Sequence, residues 1–121
     1  MNLLIIDDSL IMRKAIERSL AGKNVTVVGS APDGEEGLRI FKETLPDLVT
    51  LDISMPKMDG LTCLTEILKV KNDAKILMIT SQTDGTTASE IIERGAAGVL
   101  GKPFKSEQLV EKVEEIMGFC I

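Results

Sequence analysis

The chain contains no histidine, no tryptophan and no tyrosine. Without histidine, Ser–His and Cys–His nucleophile schemes have no base, and imidazole zinc sites have no ligand. The two cysteines, Cys63 and Cys120, are far apart and form no thiolate cluster. The aromatic residues are Phe41, Phe104 and Phe119, too few to build a base-stacking platform. Lys and Arg number 14 against 19 Asp and Glu, a net charge of −5 with no basic cluster. That balance disfavours a nucleic-acid partner. No apolar run approaches the roughly 18 residues that span a bilayer. The first residues carry no basic segment and meet acid at position 7, so they do not read as a signal peptide. The expectation is a cytoplasmic protein with no membrane partner and reduced thiols. Cys63 reads as a small core residue on a helix face and Cys120 as incidental.

What is present is an alternation. Residues 3–6 form a short apolar strand stopped by Asp7 and Asp8, and Ser9 can cap the following helix. That helix has Met12, Ala15, Ile16 and Leu20 on one face and ends near Gly22. Residues 25–31 read as a second strand. Asp33 with Glu36 then suggests a capping pair, and Leu38, Phe41 and Leu45 form a stripe closed by Pro46. The third strand, residues 48–52, ends on Asp52, and its helix turns Cys63, Leu64, Ile67 and Leu68 inward. The fourth strand, 75–80, ends on Thr80. A polar loop over 81–87 leads to a helix with Ala88, Ile91 and Ile92 inward. The fifth strand, 97–101, precedes Lys102 and Pro103, and a last helix carries Leu109, Val110, Val113 and Met117. Five strands alternating with five helices in 121 residues predict one domain: a doubly wound parallel sheet of order 2-1-3-4-5.

In that order the carboxyl ends of the strands share one edge, and Asp7, Asp8 and Asp52 converge beside strands one and three. Asp52 alone would read as a turn residue or cap, and Asp7 and Asp8 as helix-capping acids. Together they are costly: two carboxylates 4 Å apart repel by about 4 kcal/mol at an effective dielectric near 20. A divalent cation relieves this, and with Lys102 it neutralises all three acids. Hard oxygen ligands suit Mg²⁺. A carboxylate beside such a metal can attack phosphorus to give an aspartyl phosphate. Lys102 and Thr80 then offer charge and a hydroxyl to the phosphoryl oxygens.

Asp7-Asp8, Asp52 followed by Met55-Pro56 and Asp59-Gly60, Thr80, and Lys102-Pro103-Phe104 together resemble the motif set of response-regulator receiver domains. The resemblance covers residues 1–121 as a single receiver, with nothing left for an output domain, and is nearest to stand-alone chemotaxis receivers of the CheY type. It implies a flavodoxin-like fold and a two-component signalling role rather than enzymatic turnover of other substrates. Asp52 would accept a phosphoryl group from a histidine kinase. Asp8, Asp52 and the backbone carbonyl of Ser54 would hold Mg²⁺, with Asp7 assisting through water. Thr80 and Lys102 would read the phosphoryl group, and the Lys102–Pro103 peptide would be cis. A downstream protein would bind the fourth helix, fifth strand and last helix. Flanking positions that tune phosphate lifetime in the family are Ser54 and Gln82 here. Val99 stands where the family commonly has an aromatic switch residue.

Two other classes share features. A phosphohydrolase of haloacid-dehalogenase type also uses an aspartyl nucleophile, but wants a second Asp where Ser54 stands. A flavodoxin-like cofactor carrier wants a phosphate-cradling loop after the first strand, where Asp7 and Asp8 would repel phosphate.

Overall fold

A computed structural model describes residues 1–81 and 85–121. The elements are β1 (Asn2–Ile6), α1 (Leu10–Ser19), β2 (Thr26–Ala31), α2 (Gly34–Thr44), β3 (Leu48–Asp52), α3 (Gly60–Val70), β4 (Ile76–Thr80), α4 (Ala88–Glu93), β5 (Gly98–Gly101) and α5 (Ser106–Met117). The strands form one sheet in the order β2-β1-β3-β4-β5, and the paired strands are all parallel. This is the doubly wound, flavodoxin-like arrangement expected from the alternation.

Side chains alternate across a strand, so each strand serves two helical layers. On one face Leu4, Ile6, Val49, Leu51 and Met78 pack with Phe41, Cys63, Leu64, Ile67 and Ile91 of α2, α3 and α4. On the other, Leu3, Ile5, Leu48, Leu77 and Ile79 pack with Ile16, Leu20, Leu109 and Val113 of α1 and α5. Both faces of the sheet are covered, which is why β3 and β4 are apolar runs rather than alternating ones. Burying Phe41 completely contributes about 2–3 kcal/mol. No helix among the described residues is long and apolar enough to cross a membrane.

The caps follow the local sequence. Ser9, Asp33, Asp59 and Thr87 each accept a backbone N–H of the first helical turn of α1, α2, α3 and α4. Two expectations fail. Leu45 does not extend the buried stripe of α2: it caps the helix in the left-handed region, φ 42°, and is 54% exposed. In α4 only Ile91 is buried; Ala88 is exposed and Ile92 is 47% exposed. A helix of six residues resting on β5 presents one side chain to the core, and Ile92, about 100° further round, faces out.

Candidate phosphoacceptor site

Residues from three strand ends meet at the carboxyl edge of the sheet. Pairing of β1 with β3 brings Asp7 and Asp52 to the same level, because Ile6 lies opposite Leu51. Carboxylate oxygens of Asp7, Asp8 and Asp52 lie within 4.8 Å of one another. Asp7 and Asp52 are buried and Asp8 is exposed.

Lys102 comes from the far side of the crevice. Its backbone N–H donates to the Thr80 carbonyl at 2.6 Å, which fixes the end of β5 against β4. The Lys102–Pro103 peptide is cis. Lys102 Nζ then reaches Asp7 Oδ2 at 3.1 Å and Asp52 Oδ1 at 3.2 Å. Burial works to lower the pKa of the ammonium, but the neighbouring Asp7 and Asp52 outweigh it and hold it above its ordinary value. Burial pushes the Asp52 carboxyl up to about 6; Asp7 adds to the rise, Lys102 opposes it and Asp8 adds a little more.

The three acids are not equivalent. Asp7 Oδ1 accepts the Ser9 backbone N–H at 2.9 Å and Oδ2 accepts Lys102. Both its oxygens therefore have protein partners. Asp8 has no hydrogen-bond or ion-pair partner among the described residues, and one of its carboxylate oxygens lies within 4.8 Å of those of Asp7 and Asp52. The set fits Mg²⁺: hard oxygen donors, excess negative charge and one exposed carboxylate beside a buried one. Asp7, already committed to Lys102 and Ser9, suits a supporting role.

Thr80 is 9% exposed at the end of β4, and its hydroxyl donates to the Ser81 carbonyl at 3.3 Å. Ser54 lies exposed two residues past Asp52. Val99 is half-buried in β5, opposite Met78, against the core layer of α2, α3 and α4. Gln82 lies outside the described residues.

Gly60, which the sequence reading names only as part of the Asp59-Gly60 motif, also builds the site. Its N–H donates to the Ile53 carbonyl at 2.7 Å, docking the start of α3 on the end of β3. Its place after Asp59, the cap of α3, is the signal that marks it.

The doubly wound sheet thus brings an acid cluster, a strand-end lysine and a strand-end hydroxyl to one edge. Residues 3–114 match the response regulator receiver domain model, and the chain belongs to that family. It is 37% identical over 115 residues to Protein CcdB of Bacillus subtilis, covering 95% of this chain and 96% of that one. It is 35% identical over 115 residues to the chemotaxis protein CheY of the same organism, covering 95% and 96%. Among solved structures, CheY in the CheX–CheY–BeF3–Mg²⁺ complex of Borrelia burgdorferi superposes with a TM-score of 0.92 at 31% identity, covering 97% of this chain and 89% of that one.

Proposed function

We propose that this protein is a two-component receiver in which Asp52 accepts a phosphoryl group from the phosphohistidine of a histidine kinase. The observation that carries this reading is the buried Asp52 carboxylate at the end of β3, held by Lys102 at 3.2 Å among two further acids. An Asp52 carboxylate oxygen attacks phosphorus; the new P–O bond forms as the P–N bond breaks, and the imidazole keeps the electron pair and takes up a proton. Lys102 leaves Asp7 partly free as it follows the growing charge on the phosphoryl oxygens. The Thr80 hydroxyl exchanges its bond to the Ser81 carbonyl for a phosphoryl oxygen. Asp8, Asp52 and the Ser54 carbonyl, with Asp7 behind them, would hold Mg²⁺, which would supply charge neutralisation of the transferred group. Hydrolysis of the acyl phosphate restores Asp52. Ser54 and Gln82 set the access of that water, and the small Ser54 leaves its route open.

The modified site signals to a protein partner through α4, β5 and α5, where Ile92 is an exposed apolar residue on α4. Val99, short and stiff at χ1, does not sweep between surface and interior as a ring does. The change therefore passes from Thr80 to the start of α4. A cytoplasmic chemotaxis pathway is the reading that fits best, supported by the several relatives that are chemotaxis proteins CheY.

The test uses a small phosphodonor with Mg²⁺, borohydride trapping and peptide mapping. Label on Asp52, and its loss in Asp52→Asn, is the expected result. Full labelling of Asp52→Asn, or turnover of exogenous phosphomonoesters, overturns the reading.

A further inference from the structure

Arg13 has no part in the chemistry above, yet its guanidinium lies beside the acid cluster. It is half-buried on α1, and Nη1 donates to the backbone carbonyl of Asp7 at 2.6 Å. The Asp7 backbone is thereby held at both its groups, because its N–H donates to the Ala31 carbonyl of β2 at 3.0 Å. The Arg13 N–H also donates to the Ser9 carbonyl at 3.0 Å as the first bond of α1. One residue thus closes the β1–α1 turn through its backbone and its side chain.

That turn carries Asp8, which has no hydrogen-bond or ion-pair partner of its own among the described residues. Asp8 is placed only by its neighbours: Asp7, fixed by Ala31, Arg13 and Lys102, and Ser9, whose N–H is held by Asp7 Oδ1 and whose hydroxyl caps α1. We infer that Arg13 is a positioning residue for divalent-cation binding, which clamps the Asp7 carbonyl and so pre-sets the Asp8 carboxylate. The inference rests on the reading of Asp8 as a metal ligand.

The clamp and the charge of Arg13 act in opposite directions, and this gives the test its sign. A cation near the site repels a second cation, so charge alone predicts that removing it tightens Mg²⁺ binding. Positioning predicts that removing the donor loosens it. Outer-shell groups that orient ligands change metal affinity by about 10–100-fold when removed. Arg13→Met removes both charge and donor, whereas Arg13→Gln removes the charge and keeps an N–H that can reach a carbonyl.

Mg²⁺ affinity is measured by NMR amide shifts of the full chain, since no Trp or Tyr is present to report by fluorescence. Wild type and Asp8→Ala are run alongside. The expected result is Arg13→Met weaker by about tenfold, with Arg13→Gln near wild type or tighter, and faster amide exchange at Asp8 and Ser9 in Arg13→Met alone. Equal or tighter binding in Arg13→Met overturns the inference, as does equal weakening in both variants. Should Arg13→Met not fold, weakened binding in a folded Arg13→Gln overturns it alone, and retained binding supports it. Failure of the wild type to bind Mg²⁺, or undiminished binding in Asp8→Ala, is a failure of the metal site itself and leaves a different signature.

Discussion

Gly60 stands so close to Asp52 that a Cβ on the glycine would lie 2.0 Å from the Asp52 carbonyl oxygen and 2.6 Å from Ile53 Cα. Both obstacles are backbone, and neither can turn aside. The glycine is required by this approach and not by its torsions.

Gly60→Ala is therefore expected to separate α3 from the end of β3. The cost is about 3 kcal/mol, at the upper end for overpacking, with Asp52 displaced from Lys102. Urea denaturation reads the first effect and the rate of labelling by a small phosphodonor reads the second. Wild-type stability together with a wild-type labelling rate would refute the close-packing argument.

Asp52 governs a pH dependence in the metal-free protein. Its carboxyl is raised from 3.8 to about 6 by folding. The native state therefore binds more protons than the unfolded state between those values, and stability falls as pH rises through that window. Asp52→Asn removes this loss. In EDTA the variant is expected to exceed wild type by about 1–3 kcal/mol near pH 7.5. The advantage should shrink toward zero below about pH 4, where Asp52 is protonated in both states. Denaturation curves at the two pH values decide it; an advantage independent of pH would exclude this carboxyl as its source.

Thr50 offers a stability gain. Its hydroxyl is buried in β3 with no hydrogen-bond partner among the described residues, and the residue is 1% exposed. An unsatisfied buried hydroxyl costs about 1–3 kcal/mol. Thr50→Val keeps the shape and is expected to stabilise the protein by about 1 kcal/mol. A loss of stability in chemical denaturation would show that the hydroxyl has a partner the geometry does not reveal.

The two thiols should differ in reactivity. Burial pushes the Cys63 thiol up to about 12, with Asp59, Asp33 and Glu66 adding to the rise, and its Sγ donates to the Gly34 carbonyl at 3.6 Å. Cys120 is exposed. A thiol reagent near pH 8 is expected to modify Cys120 quickly and Cys63 only as the fold opens, because the thiolate is the reacting form. Two equally fast thiols, measured by mass spectrometry, would contradict the burial of Cys63.

Strand order and helix count were legible because β1, β3 and β4 are continuous apolar runs and the caps Ser9 and Asp33 mark the helices that follow them. The acid pair, Asp52, Thr80 and Lys102 were legible because each ends a strand, and parallel strands end at one edge. Failures fell where a local pattern lacks a tertiary partner. Leu45 and Ile92 continue apolar stripes, but one sits on a left-handed cap and the other on a six-residue helix that shows a single side to the core. The roles of Gly60, Arg13 and Thr50 rest on backbone approach or on a carbonyl partner, which residue type alone does not encode.

The shortness of α4 has a thermodynamic consequence. Its one buried anchor is Ile91, whereas α2 and α3 each bury three or four residues. Stability is distributed in cooperative units, and a unit opens at a free energy set by what it buries. Protection of the α4 amides against hydrogen exchange is thus limited by local opening, while those of β1, β3 and β4 exchange only with global unfolding. The helix beside β5 can be re-laid at little cost to the sheet that carries Asp52.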